Sequence, residues 1–131
     1  MFKTRSFTLV EVMVATAVLA FSTVLIYRAF FICLDAFNYY TDYLYITPQV
    51  NETMWKAQDS LSHFGTLSDV ERLGEVTNGN KRFNWDLSYM LLDGIKDDCQ
   101  LYRIDLVTWW YAGAKRIEIS KTAYALFMPR Q

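Results

Sequence analysis

The sequence predicts an α+β protein in which one long N-terminal helix enters a membrane and then packs on a small antiparallel β-sheet. Three features carry that prediction. Apolar residues crowd between Phe7 and Leu34. Apolar positions then recur at steps of three and four as far as Phe64, the spacing of one helix face. Beyond Gly79 the pattern changes to alternation with period two, the signature of half-buried strands. The chain has 131 residues, is 53% hydrophobic and 17% aromatic, and carries a net charge of −1. Those values fit one domain, or one domain plus an anchor. The charge balance offers no electrostatic footprint for nucleic acid, so no nucleic-acid partner is expected.

The first element begins with two cations, Lys3 and Arg5, followed by Ser6-Phe7-Thr8-Leu9-Val10-Glu11-Val12-Met13-Val14-Ala15. No charge appears from Val12 to Tyr27. As a helix, Phe7 to Tyr27 would span roughly 30 Å, enough to cross a bilayer core. The leading cations predict a cytoplasmic N-terminal side and translocation of the rest of the chain. A cleaved secretory signal fits poorly. Glu11 interrupts the apolar run early, and the run passes through Tyr27-Arg28-Ala29-Phe30-Phe31-Ile32 with no small-x-small cleavage site. A carboxylate inside a membrane helix costs about 2.5–3.5 kcal/mol on insertion scales, so Glu11 needs a partner. The plain alternative is a signal anchor whose Glu11 snorkels to the headgroups.

These residues resemble the type IV prepilin cleavage and methylation motif. The resemblance implies that a membrane aspartyl peptidase cuts between Ser6 and Phe7 and N-methylates the new terminus on Phe7. Glu11 then stands fifth in the mature chain. The family usually has glycine before the cut, where this sequence has Ser6. The resemblance implies three segments: a leader peptide 1–6, a transmembrane and assembly helix 7–34, and a periplasmic pilin-like globular domain 35–131. The implied location is the inner membrane, single-pass, with the N-terminus cytoplasmic and the domain periplasmic, and the pseudopilus after assembly. The physical logic is direct. Cleavage creates a cationic amine on Phe7, and Glu11 lies about one helical turn deeper. When subunits stagger along a filament, the glutamate of one meets the amine of the next and both charges are neutralised.

Helical periodicity continues past the membrane segment. Phe37, Tyr40, Tyr43, Thr47, Val50, Met54, Ala57, Leu61 and Phe64 form the predicted core stripe. Asn38, Asp42, Gln49, Asn51, Glu52, Lys56 and Asp59 form the predicted solvated face. Pro48 predicts a kink after Thr47, and Gly65 a C-terminal cap. An unbroken helix from Phe7 to Phe64 would be roughly 85 Å long, the stem of the lollipop that the resemblance implies. Ser68 to Gly74 reads as a short capped helical turn and Thr77 to Asn80 as a turn. Three strands come next, as an antiparallel meander laid on the C-terminal half of the helix. Their inward faces are Phe83, Trp85, Leu87, Tyr89 and Leu91; Tyr102, Ile104, Leu106, Thr108 and Trp110; and Ile117, Ile119, Ala123, Ala125 and Phe127. Asp93-Gly94 through Asp97-Asp98, and Ala112-Gly113, provide the turns.

A weaker resemblance extends over the whole chain. The helix segment Asn51 to Gln58, the strand Leu101 to Trp109, Arg116 to Ile119 and Thr122-Ala123-Tyr124 are similar to the I-type minor pseudopilin of type II secretion. The J and H types share the N-terminal motif. The resemblance implies a tip complex that primes a short pseudopilus, which pushes folded proteins through an outer-membrane channel. Its implied partners are other minor and major pseudopilins, the prepilin peptidase and the inner-membrane assembly platform. The alternative is a minor type IV pilin for adhesion, motility or DNA uptake. For that reading Trp109, Tyr111 and Tyr124 offer an aromatic platform, and Lys115, Arg116 and Lys121 a basic patch. Against it, losing Lys3 and Arg5 with the leader leaves 11 Lys and Arg against 14 Asp and Glu.

Catalysis finds little footing. The single histidine, His63, falls at the helix end, where a solvated or capping role is expected. Neither a nucleophile elbow nor a glycine-rich phosphate loop is present, so neither an enzyme nor a cofactor is predicted. Asp93, Asp97 and Asp98 offer hard oxygens suited to calcium, or simply a solvated turn. Cys33 and Cys99 leave two readings open: a disulfide if the second half lies outside the cytoplasm, or two small packed residues.

Overall fold

The computed structural model describes residues 7–96 and 99–129, and side chains outside 93–98. Two compact units divide the chain, Met1–Leu44 and Tyr45–Gln131. Helix α1, Leu9–Phe64, runs through both as 56 residues, continuing past Pro48. In the first unit it is the sole secondary-structure element among the described residues, and its side chains from Leu9 to Thr41 are all exposed. The hydroxyls there do not compete with the helix. Thr16 Oγ1 donates to the Val12 carbonyl at 3.0 Å, Ser22 Oγ to Val18 at 2.7 Å and Thr23 Oγ1 to Leu19 at 2.8 Å. Such bonds return side-chain donors to the helix's own carbonyls, as a hydrocarbon environment requires.

In the second unit the C-terminal part of α1 packs on a four-stranded antiparallel sheet. Its strands are β1 (Leu73–Asn78), β2 (Lys81–Lys96), β3 (Cys99–Ala112) and β4 (Lys115–Phe127), in the order β1-β2-β3-β4. Ile46, Val50, Met54, Ala57 and Leu61 present one helical face to the sheet. Phe83, Leu87, Tyr102, Ile104, Leu106, Trp110 and Ala125 receive it. The Phe83 ring lies 5.5 Å from Tyr45 and 5.3 Å from Trp110, so α1, β2 and β3 meet in one aromatic cluster. Each large side chain buried this way contributes about 1.5–3 kcal/mol. The helix ends where predicted, with the Gly65 N–H donating to the Leu61 carbonyl at 3.0 Å.

The inward faces of β2, β3 and β4 match the alternation in the sequence except at Leu91, which lies towards the end of β2 and is exposed. Tyr102, Ile104, Leu106, Thr108 and Trp110 are all buried. Two-residue loops join β1 to β2 and β3 to β4, and Gly79 and Gly113 open them at φ +61° and +64°. A positive φ at the first loop residue suits a type II′ hairpin and costs glycine nothing.

Four expectations need correction. The sheet has four strands, not three, because Leu73–Asn78 pairs with β2 from Leu73↔Asp86 to Asn78↔Lys81. Ser68 to Gly74 is accordingly no helical turn: residues 68–70 form bends and Gly74 lies inside β1. A Cβ on Gly74 would sit 1.9 Å from Trp85, its register partner, so the glycine makes room for the indole. The helix stripe is also narrower than expected. Ile46 is a core residue, whereas Phe37, Tyr40, Tyr43 and Phe64 are exposed. Asp42, assigned to the solvated face, is buried at 8% exposure, one turn before Ile46 on the same side of the helix.

Candidate functional site at the start of the long helix

The start of α1 is a capping box. The Thr8 N–H donates to Glu11 Oε2 at 2.8 Å, and the Thr8 hydroxyl donates to the same oxygen at 3.1 Å. In return the Glu11 N–H points at Thr8 Oγ1 at 3.3 Å. Thr8 is thus the N-cap and Glu11 the third helical residue, an arrangement that satisfies orphan N–H groups at both positions. The positive end of the helix dipole favours the carboxylate there as well. Thr-x-x-Glu is legible in the sequence, yet a reading centred on the charge of Glu11 overlooks its own threonine.

From Val12 to Ile26 the helix presents only apolar or internally bonded side chains. The segment is long and apolar enough to cross a membrane, with a mean hydropathy of 2.3 over its best window, and none of that window is buried by the chain itself. Phe7 is 83% exposed at the head of the segment. Ser6, the other half of the expected cleavage site, lies outside the described residues, as do Lys3 and Arg5.

Residues 1–27 match the prokaryotic N-terminal methylation motif. The match spans 27 of 131 residues and supports a type IV pilin-like or pseudopilin-like protein. No curated protein and no solved structure matches the chain. The helix it covers is consistent with a single-pass membrane anchor. Proteins of this pilin-like kind generally play structural parts, not catalytic ones.

The remaining sites expected from the sequence fare differently. Trp109, Tyr111 and Tyr124 do share the sheet face turned away from α1, since the residues between them line the core. They do not form one platform. Trp109 pairs with Glu118, and Tyr124 lies six residues further along β4, roughly 20 Å away at strand rise. Arg116 lies over Trp109 at 5.0 Å and pairs with Glu118 at 3.1 Å. Lys121 is on the opposite face, in register with core Leu106, and its ammonium bonds Asn51 of α1. The three cations therefore make no continuous basic patch.

His63 is exposed at the helix end, with Nδ1 3.2 Å from the Asp59 carboxylate and 3.0 Å from the Asp59 carbonyl oxygen. Asp97 and Asp98 lie outside the described residues, and so does the side chain of Asp93; the calcium expectation falls there. Among the described residues no three His, Cys, Asp or Glu side chains gather as a metal site. Cys33 and Cys99 are both free thiols.

Two polar clusters have clear electrostatic causes. Asp105 accepts from the Thr122 hydroxyl at 2.7 Å and from Arg103 Nε at 3.2 Å. The Thr122 bond chiefly, helped by Arg103, holds the Asp105 carboxyl below its usual range. Glu52 is lowered likewise by the bond and charge of Lys56, 2.7 Å away one turn on.

Proposed function

We propose that this chain is a minor pseudopilin of a type II secretion system, most similar to the I-type subunit, that assembles into the pseudopilus tip. One observation carries the reading: the methylation motif over residues 1–27 leads straight into an unbroken apolar helix. On this reading a prepilin peptidase cuts between Ser6 and Phe7 and methylates the Phe7 amine. The segment 7–34 then anchors the subunit in the inner membrane, N-terminus cytoplasmic, and the domain from residue 35 onward lies in the periplasm. Other minor and major pseudopilins and the inner-membrane assembly platform are its partners.

Glu11 supplies the assembly chemistry. In the separate subunit its carboxylate is held by Thr8, so the charge is partly satisfied while it waits. Assembly replaces those bonds with the new amine of an adjacent subunit, a stronger charge-assisted pairing. Glu11→Val tests the step. The variant is expected to insert and to be cleaved normally, yet to fail to copurify with other pseudopilins from membranes. Normal copurification would show the pairing to be dispensable. Salt-dependent DNA binding by the full chain would instead favour a DNA-uptake pilin.

A further inference from the structure

We propose that Gln49, Trp85 and Thr108 form a binding site for one internal water molecule that joins α1 to the sheet. The site lies in the second unit, apart from the N-terminal motif. Trp85 and Thr108 are register partners on β2 and β3, so their side chains are neighbours on the surface that faces the helix. Gln49 precedes core residue Val50 on α1. All three line one small cavity of about 10 Å³, together with Thr53 and the aliphatic walls of Val50 and Leu106.

Hydrogen-bond valence points to water. Gln49 Oε1, Trp85 Nε1 and Thr108 Oγ1 are buried and lack a hydrogen-bond partner among the described residues. Thr108 as a whole is 1% exposed. Leaving three such atoms dry carries a substantial desolvation penalty. A single water resolves it by accepting from the Trp85 N–H and donating its two protons to Gln49 Oε1 and Thr108 Oγ1. Three bonds is the usual number for an internal water, and a cavity of this volume is close to the minimum that holds one. A larger guest does not fit, and the lining carries no charge to attract an ion.

Two further features support the site. Gly74 lets the Trp85 indole lie over β1, which fixes the ring that carries the donor. Gln49, Thr53 and Trp85 also line a cleft of about 410 Å³ with Glu52, Lys56 and Asp69, giving the water a route to bulk solvent.

The test is water–indole cross-relaxation by NMR on the full chain in detergent micelles, with ¹⁵N-labelled tryptophan. Loss of one indole signal in Trp85→Phe assigns the resonance. The native chain should give a Trp85 indole–water cross-peak with the sign of a molecule tumbling with the protein. Thr108→Ser should keep that peak, and Thr108→Val should weaken it several-fold. A native chain without the peak overturns the proposal, and an indole shift on Gln49→Leu would then identify a direct Gln49–Trp85 bond. A peak undiminished in Thr108→Val also overturns the three-point site. Should Thr108→Val fail to fold, the native spectrum and Thr108→Ser still decide the matter.

Discussion

The two parts of α1 are built from similar residues and meet opposite fates. From Leu9 to Thr41 every side chain is exposed, large apolar ones included: Phe21 is 73% exposed and Ile26 69%. From Ile46 to Leu61 one face is sealed, with Ala57 and Leu61 at 0%. The second part folds against a sheet of its own chain. The first has no such partner within its unit, and its uncharged apolar run from Val12 to Tyr27 is consistent with a span across a bilayer core. Burial is therefore not a property of a helix. It belongs to the pairing of a helix with whatever medium or element completes it.

The largest expected effect separates the two parts directly. Trp110→Ala removes a 0% exposed indole from beneath α1 and should destabilise the domain by about 3–5 kcal/mol. Phe21→Ala should leave the same unfolding transition within about 0.5 kcal/mol. Denaturant titration of the full chain in detergent, followed by near-ultraviolet circular dichroism, reads both. Equal losses would break the comparison, because Phe21 would then belong to the domain's cooperative unit.

A smaller effect sharpens the sheet side. Gly74→Ala drives a methyl into Trp85 and should cost about 1–3 kcal/mol, since the indole must leave its place over β1. An unchanged midpoint would mean that the ring moves freely. On the membrane side, Thr8→Val removes the cap of α1 and should cost about 1 kcal/mol, confined to the first turns. Faster amide exchange near Glu11 with an unaltered domain transition is the expected result, and Thr8→Ser should restore protection.

The smallest effect is electrostatic. The folded-state pKa of Asp105 is lowered, so its contribution is present above the unfolded carboxyl value and lost as pH falls through the folded one. Asp105→Asn should flatten the fall in melting temperature between about pH 5 and pH 2 by slightly lowering the neutral value while leaving the acid value almost unchanged. A steeper acid fall in the variant would reverse the assigned sign.

Much of the fold was legible because two periodicities are distinct. The inward residues of β2, β3 and β4 alternate strictly, and Ile46, Val50, Met54, Ala57 and Leu61 repeat at helical steps. Strand β1 escaped because it is short and carries little apolar weight. Leu73 is 68% exposed, and Gly74 reads as a stop signal until Trp85 is seen lying over it. Asn78-Gly79-Asn80 was the available clue, since a hairpin turn implies a strand on each side. Asp42 was misplaced for a similar reason: polarity alone assigned it to solvent, whereas its side chain is buried.

The sequence by itself determined the apolar run, its methylation motif, the helix beyond it and the alternation of the sheet. These depend on local spacing and on contacts between near neighbours in the chain. The tertiary structure decided which stretch of the helix becomes core, where the fourth strand adds, that Lys121 turns towards Asn51, and that Gln49, Trp85 and Thr108 line one cavity. Each of those outcomes requires residues far apart in sequence to share one environment, and that pairing is chosen by packing, which no local pattern encodes.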